Sequence, residues 1–394
     1  MLNKKSNIAV FSLAFSPLES GAEVAIREIA SRVKDYNFTI LTYKFNKYWF
    51  SREQKDNIEI VRLGMGRGGT KYYGRIWDKI IYIFRAWQEA EKIHSEKRIE
   101  MIWAVMASYG AIAALFFKLK HPLIPFLLTL QEGDSENHMI FGRFGLTGFF
   151  GKRIIRIADY IQTISVFLKD FSKKRGAKCP IEVIPNGVDL DLFKTYYSDP
   201  EIRAIRQNLG IKDDYVVVTA SRLVYKNGVD ILIKSIAEFR IRRPNIKCII
   251  IGGGPELKKL KVLSRKLKVD ANIIFLGQIP QKDLPLYLKI SDIFIRSSRS
   301  EGLGNSFLEA MAAKIPVIGT PVGGIVDFLK DGETGFYIKV DDYKELADKM
   351  AYILENPEIR KSVVKKAAAL VESDYSWDRV SRLMRNIFNK LINE

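Results

Sequence analysis

Short apolar runs alternate along the chain with longer segments in which apolar residues recur every three or four positions. The runs predict buried strands, and the longer segments predict amphipathic helices. In the first half the strands are expected at 8–13, 38–42, 58–63, 100–106, 124–130, 160–164 and 181–184, and the helices from about Ser20, at 74–97, at 109–119 and at 165–175. This alternation is typical of an α/β fold, a parallel sheet with helices on both faces.

The same alternation restarts after Pro200. The strands of the second half are expected at 215–220, 246–251, 272–276, 292–296, 317–320 and 336–338, and the helices at 228–240, 255–267, 282–289, 306–313, 342–355, 358–371 and 377–392. Pro185, Asn186 and Gly187 interrupt the pattern between the two arrays, so we expect a linker at about 185–200. A chain of 394 residues favours two domains, here divided after residue 190.

The segment 298–324 (SRSEGLGNSFLEAMAAKIPVIGTPVGG) is the most informative part of the chain. A polar loop with two glycines, Ser300–Asn305, leads into a short apolar helix at Ser306–Ala313. We expect Asn305 or Ser306 to cap this helix. The N–H groups of the first turn have no partner inside the helix, and together with the helix macrodipole they form a site for an anion.

Two carboxylates flank this anion site, Glu301 before the helix and Glu309 inside it. An acid at such a place can simply favour the helix N-terminus or lie on the surface. The neighbours of Glu309 are apolar, however, and a buried carboxylate needs a partner such as a ligand hydroxyl. These neighbours are Phe307, Leu308, Ala310, Met311 and Ala312.

A second candidate segment is SRLVYKNG, Ser221–Gly228, which follows a predicted strand and precedes a predicted helix. Open α/β sheets bind ligands at the carboxyl ends of their strands. Arg222 offers a planar fork to phosphate oxygens, and Lys226 offers a mobile point charge. The alternative is that both bases face solvent at the start of a helix.

The turn SGAE at 20–23 has two interpretations that do not exclude each other. Ser20 and Glu23 fit a capping box, and Gly21 leaves room for a phosphate to approach.

The net charge of +18 favours an acidic partner, either a nucleoside diphosphate, an anionic membrane surface or nucleic acid. We expect no nucleic acid partner, because the sequence contains no RNA- or DNA-binding module. Cys179 and Cys248 are far apart, which predicts no disulfide framework and fits a reducing cytoplasm. The uncharged run Met101–Phe117 is shorter than the roughly 20 residues of a membrane span, and Ser108–Gly110 divides it into a strand and a helix.

Aromatic and basic residues are interspersed in the glycine-broken stretch 131–161. Such a mixture suits peripheral contact with an anionic membrane. Alternatively, the rings complete the core and the bases are solvated. The residues are Phe141, Phe144, Phe149 and Phe150 with Arg143, Lys152, Arg153 and Arg156.

The pattern Glu-x7-Glu within EGLGNSFLEAMAAKIPVIGT resembles the nucleotide-sugar signature of family-4 retaining glycosyltransferases, the glycosyl transferases group 1. The resemblance extends over essentially the whole chain through SGAE, IPNGVD, SRLVYKNG and GGGPE. It implies a GT-B fold of two facing Rossmann-like domains with parallel sheets. Residues 1–190 would bind the acceptor, residues 191–375 would bind the donor, and a C-terminal helix within 376–394 would cross back to the first domain.

The resemblance also implies roles for individual residues. Glu309 would hold ribose hydroxyls, and Glu301 the hydroxyls of the donor sugar. Arg222, Lys226 and the amides of Leu303 to Ser306 would neutralise the diphosphate. The family lysine directly precedes the glycine, where this chain has Asn227. The implied donor-site residues also include Gly21, Gly253, Gln278, Gly302, Leu303, Gly304, Asn305 and Ser306.

On the acceptor side, Gln131 stands where members of this family commonly have a histidine. Glu132, Asp134 and His138 are the remaining acceptor candidates, and the alternative is that they are polar loop residues. Asp189 and Asp191 look like a metal-binding Asp-x-Asp, but we expect them to cap the turn after the linker. No metal and no cofactor is therefore expected beside the donor, a UDP-, GDP- or ADP-sugar.

The sequence thus predicts a retaining, metal-independent hexosyltransferase that transfers a sugar to a glycan or lipid-linked acceptor in polysaccharide or glycoconjugate synthesis. It would act in the cytoplasm, in peripheral contact with the inner face of the cell membrane. One alternative is a sugar-nucleotide epimerase of similar fold, which would need catalytic acids in the first domain. The other is a non-catalytic glycan- or nucleotide-binding GT-B protein, for which Asn227 and Gln131 are the support.

Overall fold

A computed structural model describes residues 5–18, 20–66, 76–141 and 146–393. The chain forms two compact units. The first comprises Met1–Gly187 together with Trp377–Glu394, and the second comprises Val188–Ser376. These bounds are close to the expected 1–190 with 376–394 and 191–375, while the assignment of acceptor and donor to one unit each stays a prediction.

Within the described residues, the sheet of the first unit has eight strands: β1 Ser6–Phe11, β2 Tyr36–Tyr43, β3 Arg52–Lys55, β4 Ile58–Leu63, β5 Met101–Val105, β6 Phe126–Leu130, β7 Tyr160–Thr163 and β8 Ile181–Val183. Their order is β3-β4-β2-β1-β5-β6-β7-β8. All neighbouring pairs are parallel except β3 and β4. The edge strand β3 corrects the expectation of a wholly parallel sheet, and its exposed polar sequence REQK gives no buried-strand pattern.

Helices cover this sheet: α1 Gly21–Arg32, α2 Ile76–Lys97, α3 Tyr109–Lys120, α4 Glu136–Phe141, α5 Leu146–Ile157 and α6 Val166–Lys174. The apolar run that begins at Met101 is strand β5 followed by helix α3, as predicted. Helices α4 and α5 were not predicted, because the glycines around them interrupt the helical period. In the part of the chain that the structure describes, no helix is long and apolar enough to span a membrane.

The C-terminal helix of the chain, which we number α16 (Trp377–Asn393), belongs to the first unit. Its Phe388 is fully buried, and the ring lies 5.5 Å from the ring of Trp103 and 5.9 Å from that of Phe38. Met384 and Ile387 join the same core. This position confirms the helix that the resemblance implied for residues 376–394.

The second unit has six strands: β9 Tyr215–Ala220, β10 Ile246–Ile251, β11 Ile273–Gly277, β12 Ile293–Arg296, β13 Val317–Gly319 and β14 Phe336–Tyr337. They lie in the order β11-β10-β9-β12-β13-β14 and pair in parallel throughout. The order reverses between β9 and β12. At such a switch point the loops leave to opposite sides and open a crevice at the carboxyl ends of the strands.

Nine helices belong to this unit within the described residues: α7 Leu190–Phe193, α8 Asp199–Asn208, α9 Val229–Arg242, α10 Leu257–Lys266, α11 Leu284–Lys289, α12 Asn305–Ala312, α13 Ile325–Phe328, α14 Tyr343–Glu355 and α15 Pro357–Asp374. Their apolar faces and the sheet enclose a second core that includes Ile231, Ile250 and Met350.

Helices α7 and α8 start inside the stretch expected to be a linker. Asp189 accepts a hydrogen bond from the amide of Leu192 at 3.0 Å and so caps α7, which confirms the predicted capping role of this acid. Ser198 and Glu201 form a capping box at the start of α8, where the Ser198 amide donates to Glu201 Oε2 at 2.8 Å. Pro200 in the first turn favours the same start. The sequence therefore contains a signal for a helix start inside the segment that we predicted as a linker.

Candidate functional site

The second unit gathers most of the predicted donor residues at its switch point. Strand β9 ends at Ala220 beside β12, which ends at Arg296. The loop after β9 carries Arg222 and Lys226, and the loop after β12 carries Glu301 and leads into α12. The topology therefore brings the two predicted donor segments to one edge of the sheet, where open α/β sheets bind ligands.

The guanidinium of Arg296 joins three segments at this edge. Its Nη1 donates to Ser306 Oγ at 2.9 Å, and its Nη2 donates to Asn227 Oδ1 at 3.3 Å. Nη2 also lies 2.5 Å from Glu301 Oε2. The side chains of Arg296 and Glu301 are only 11% and 12% exposed, so water screens this ion pair little. Arg296 was not among the site residues predicted from the sequence.

Glu301 is buried, which excludes the alternative of a solvated surface acid. The Gly302 amide donates to Oε1 of Glu301 at 3.2 Å. The main-chain carbonyl oxygen of Glu301 accepts from the Gly324 amide at 3.2 Å. Gly323 has φ 54°, and a Cβ atom there would lie 1.8 Å from the Glu301 carbonyl oxygen. The place of Glu301 thus depends on the absence of a side chain at residue 323.

Helix α12 begins one residue earlier than predicted. Gly304, at φ 94°, is the N-cap and provides no side-chain hydrogen bond. This corrects the expected cap at Asn305 or Ser306. The left-handed conformation of Gly304 lets the helix start at once, and the Ser306 hydroxyl accepts from Arg296 instead of capping. Gly302, Leu303 and Gly304 are buried in front of the helix, and Asn305 is partly exposed.

Glu309 is partly exposed, not fully buried as its neighbours suggested, although those neighbours are themselves buried. Gln281 Nε2 donates to its Oε1 at 3.1 Å. Removal from water raises the pKa of Glu309 to about 7, while Gln281 and the charge of Arg296 oppose this rise. The interaction with Arg296 links Glu309 electrostatically to the cluster around Glu301.

Asn227 ties the loop after β9 to this cluster. It is buried, and its Nδ2 donates to the carbonyl oxygen of Arg222 at 2.6 Å. The carbonyl oxygen of Lys226 accepts from the Arg299 amide at 2.7 Å. The Arg222 side chain is exposed and that of Lys226 is partly exposed, and their contact with a diphosphate stays a prediction.

Glycines pack the neighbouring turns closely. Gly252, at φ 128°, donates from its amide to the Gly277 carbonyl oxygen at 2.7 Å, and a Cβ atom on it would lie 1.9 Å from the Ser221 carbonyl oxygen. A Cβ atom on Gly253 would lie 3.4 Å from Gln278 Cγ. The structure thus places Gly253 against the exposed Gln278, while contact of either with a base stays a prediction.

In the first unit, Ser20 and Glu23 form the predicted capping box, with the Ser20 amide donating to Glu23 Oε2 at 2.8 Å. Gly21 begins α1 and is exposed. The contact of Gly21 with a phosphate stays a prediction.

The three acceptor candidates of the first unit share one cavity of about 130 Å³, lined by Glu132, Asp134 and His138. Glu132 accepts from the Ala107 amide at 2.6 Å and from the Gln131 amide at 2.9 Å. Burial raises the pKa of Glu132, and these two hydrogen bonds oppose the rise. The residues that the sequence selected as acceptor candidates are therefore brought together, although their role stays a prediction.

A larger, open depression of about 710 Å³ lies in the second unit, with Arg206, Tyr215 and Asp292 in its wall. It is at the amino ends of β9 and β12, opposite the switch-point crevice. None of the predicted site residues line it, so we do not assign the donor to it.

Comparison with known proteins agrees with this geometry. The family model described as glycosyl transferases group 1 matches residues 201–370. The chain is 32% identical over 235 residues to a GDP-mannose-dependent alpha-(1-6)-phosphatidylinositol monomannoside mannosyltransferase of Mycolicibacterium smegmatis, covering 57% of this chain and 59% of that protein. It is 31% identical over 214 residues to alpha-monoglucosyldiacylglycerol synthase of Acholeplasma laidlawii, covering 54% and 53%.

The chain thus spans a little over half the length of these two relatives. Among solved structures, sucrose-phosphate synthase from Thermosynechococcus elongatus superposes with a TM-score of 0.84 at 18% identity, covering 99% of this chain and 100% of that one. This likeness concerns the fold. The chain therefore matches the glycosyl transferases group 1 over residues 201–370 and has the GT-B fold that its sequence predicted.

Proposed function

We propose that this protein is a retaining glycosyltransferase that moves a hexosyl group from a nucleoside-diphosphate sugar to a glycan or lipid-linked acceptor. One observation carries the proposal. At the switch point of the second sheet, Arg296 joins Asn227, Glu301 and Ser306 in a largely buried polar cluster at the N-terminus of α12. Such a cluster at the carboxyl end of a parallel sheet suits a ligand that carries both phosphate and hydroxyl groups.

The ribose, the sugar, the diphosphate and the base of the donor would each contact different residues at this edge of the sheet. Glu309 accepts hydrogen bonds from the ribose hydroxyls, and Glu301 from hydroxyls of the donor sugar. Arg222, Lys226 and the amides of Leu303 to Ser306 face the diphosphate. Gly253 and Gln278 border the base.

In the transfer step, the bond between the anomeric carbon and the diphosphate oxygen breaks, and a bond from that carbon to the acceptor oxygen forms on the same face. The acceptor hydroxyl gives its proton to the departing diphosphate oxygen. Negative charge grows on the diphosphate in the transition state, so fixed cations and amides aimed at it lower the barrier. Because these groups carry the charge compensation, we propose that the reaction uses no metal ion.

The acceptor would enter the first unit at the cavity of Glu132, Asp134 and His138. Gln131, in place of the family histidine, cannot act as a base, and its amide oxygen accepts from Asn186 Nδ2 at 3.1 Å. Proton transfer to the departing phosphate removes the need for a base there. The names of the two relatives, with phosphatidylinositol and diacylglycerol in them, support a lipid-linked acceptor.

The surface of the first unit supports peripheral contact with an anionic membrane. On α2, Trp77, Ile81 and Phe84 are 69%, 41% and 50% exposed, and their spacing places them on one stripe. Exposed Arg85 lies beside this stripe, which we call the α2 stripe. Rings beside a cation suit the headgroup region of a membrane, and such contact would place the enzyme at the cytoplasmic face.

In the stretch 131–161, whose aromatic and basic residues predicted a membrane contact, most of these side chains that the structure describes are exposed. Phe149 is 65% exposed, with Lys152, Arg153 and Arg156 exposed on the same helix. Phe150 is partly buried against it, with the two ring centres 5.5 Å apart. Arg143, Phe144 and the side chain of Phe141 lie outside the described residues.

The proposal is tested by incubating the purified protein with UDP-, GDP- and ADP-sugars, with and without a lipid extract and with and without EDTA. We expect one sugar nucleotide to release free nucleoside diphosphate, faster with the extract and unchanged by EDTA, and the product to keep the anomeric configuration in its NMR spectrum. Binding without release would indicate the non-catalytic alternative. A changed sugar that stays attached to its nucleotide would indicate the epimerase.

A further inference from the structure

The charge pattern of the donor site departs from the family pattern at Asn227, which contacts Arg296. The family lysine before the glycine of SRLVYKNG is replaced here by Asn227. The side-chain oxygen of Asn227 accepts a hydrogen bond from Arg296 Nη2 at 3.3 Å. Arg296 therefore brings a positive charge to the side chain that stands at the sequence position of the family lysine.

We infer that Arg296 supplies the cation that the family lysine would provide, and that it binds the donor diphosphate. The inference deepens the proposed function and rests on it. A lysine at residue 227 would place a second positive charge against the guanidinium, and two cations at this distance repel. Asparagine is compatible because its oxygen accepts from Arg296 while its Nδ2 donates to the Arg222 carbonyl oxygen at 2.6 Å.

The position of Arg296 fits this role. It ends β12 at the switch point, and its Nη1 contacts Ser306 in the first turn of α12 at 2.9 Å. The guanidinium thus lies beside the helix N-terminus, where the macrodipole already favours an anion. The ion pair with Glu301 at 2.5 Å holds the side chain in this orientation and leaves it little rotational freedom to lose when a ligand binds.

The guanidinium also has hydrogen-bonding capacity left. It carries five N–H donors, and the hydrogen bonds to Ser306 and Asn227 use two of them, while Glu301 is an ion-pair partner. Nε is buried and has no hydrogen-bond partner among the described residues. A buried donor without a partner is costly, and phosphate oxygens match the planar donor fork of arginine. A small shift of the guanidinium towards a bound diphosphate would satisfy this donor.

The test compares diphosphate binding with nucleoside binding. Titration calorimetry with UDP, GDP and ADP first identifies the diphosphate that the wild-type protein binds. The dissociation constants of this diphosphate and of its nucleoside are then measured for Arg296→Gln, Arg296→Lys, Asn227→Lys and the double variant Asn227→Lys with Arg296→Gln. The readout is the preference for the diphosphate over the nucleoside, which a change in overall folding does not move.

We expect Arg296→Gln to reduce this preference at least tenfold and Arg296→Lys to reduce it less. Asn227→Lys alone should also reduce it, because the two cations repel. In the double variant the lysine takes the vacated place, so most of the preference should return. Recovery in the double variant shows that it is folded and that the charge, not the residue type, matters.

Arg206→Gln is the matched control, since Arg206 is also a partly buried arginine of this unit. It donates to the carbonyl oxygens of Ile290, Lys212 and Asp214 at the amino end of the sheet. Its loss should lower the melting temperature and leave the preference unchanged.

One result would overturn the inference while the proposed function stands: the preference for the diphosphate survives in a folded Arg296→Gln variant. If the binding of diphosphate and nucleoside weakens by the same factor in this variant, Arg296 only holds the loops together. If the wild-type protein binds none of the three diphosphates, the proposed function itself fails and the inference with it.

Discussion

Gln281 donates a hydrogen bond from Nε2 to Oε1 of Glu309 at 3.1 Å. Burial raises the pKa of Glu309 to about 7 from its ordinary 4.5. The acid therefore changes its charge near neutral pH, and its charge state should control how well it accepts hydrogen bonds from ribose.

The first prediction concerns the pH dependence of nucleotide binding. With a pKa of about 7, the ionised fraction of Glu309 rises from about one tenth at pH 6 to about nine tenths at pH 8. An ionised carboxylate accepts both ribose hydrogen bonds, so affinity for the nucleoside diphosphate should rise by up to about tenfold over this range. Calorimetric titrations of the wild-type protein and Glu309→Gln at several pH values measure this change.

The phosphate group titrates in the same range, but it does so for both proteins. The ratio of the two dissociation constants therefore isolates Glu309. Parallel pH profiles of the wild-type protein and the variant would show that Glu309 does not meet the nucleotide.

The same shift predicts how stability depends on pH. The folded state holds the Glu309 proton more tightly than the unfolded chain, because its pKa is raised from 4.5 to about 7. The unfolded chain loses this proton first as pH rises, so this group lowers the free energy of unfolding between about pH 4.5 and pH 7. Denaturant titrations should show a steeper decline for the wild-type protein than for Glu309→Gln, and equal slopes would contradict the shift.

The backbone contact between Gly323 and Glu301 gives a third prediction. Gly323→Ala adds a Cβ atom that would lie 1.8 Å from the Glu301 carbonyl oxygen, at φ 54°. The strain of the left-handed backbone costs about 1–2 kcal/mol, and displacing the Glu301 loop costs about 1–3 kcal/mol more. We expect lower stability in denaturant titrations and, because Glu301 moves, at least a tenfold loss of donor turnover.

Gly332→Ala separates strain from displacement. Gly332 has φ 69° and no atom within 4 Å of an added Cβ, so only the strain applies. Its turnover should equal that of the wild-type protein. A Gly323→Ala variant that matches Gly332→Ala in both stability and turnover would mean that the Glu301 loop is not held as the structure shows.

These tests concern residues that the sequence revealed to different degrees. The alternation of apolar runs and helical periods predicted both sheets, because buried parallel strands have apolar residues on both faces. Glu301 and Glu309 were found from their spacing around a glycine-rich helix start. The polar edge strand β3 was missed, because exposed residues such as Arg52 and Lys55 leave no pattern at all.

Arg296 was missed for another reason. A single charged residue at the end of an apolar strand is ordinary in a sequence, and its partners Asn227 and Ser306 lie in separate segments. Only the strand order, which places β9 beside β12, brings the three side chains together. Long-range polar contacts of this kind leave no local periodicity, so a structure is needed to find them.

A fourth prediction tests the acceptor cavity. His138 is exposed and lines the cavity with Glu132 and Asp134, so its loss should hardly affect folding. His138→Ala should slow transfer to the acceptor about tenfold or more, as expected when one hydrogen bond to a charged or transferring group is lost, while hydrolysis of the donor by water stays unchanged. Assays that separate transfer from hydrolysis measure both rates.

Asn137→Ala is the control on the same helix, because Asn137 is exposed but does not line the cavity. Unchanged transfer by His138→Ala, or an equal loss in both variants, would remove the acceptor from this cavity.

The α2 stripe gives the fifth prediction. Trp77→Ser combined with Phe84→Ser should reduce binding to vesicles of anionic phospholipid about tenfold or more, because burying each ring contributes up to about 1.5–3 kcal/mol. Sedimentation with vesicles at several salt concentrations measures the bound fraction, and the reaction with a water-soluble acceptor should not change.

Ile241→Ser combined with Val262→Ser is the matched control. These residues are 78% and 62% exposed in the second unit and lie outside the α2 stripe. If both double variants bind vesicles equally well, the α2 stripe is not the membrane contact.

The central claim is that a nucleoside diphosphate binds at the N-terminus of α12 beside Glu301 and Glu309. Hydrogen exchange of the peptide 301–309, followed by mass spectrometry with and without a saturating concentration of the diphosphate that the protein binds, tests this most directly. We predict slower exchange of the amides from Leu303 to Ser306 in the complex. Saturated binding with unchanged exchange in this peptide, and protection elsewhere, would contradict the claim.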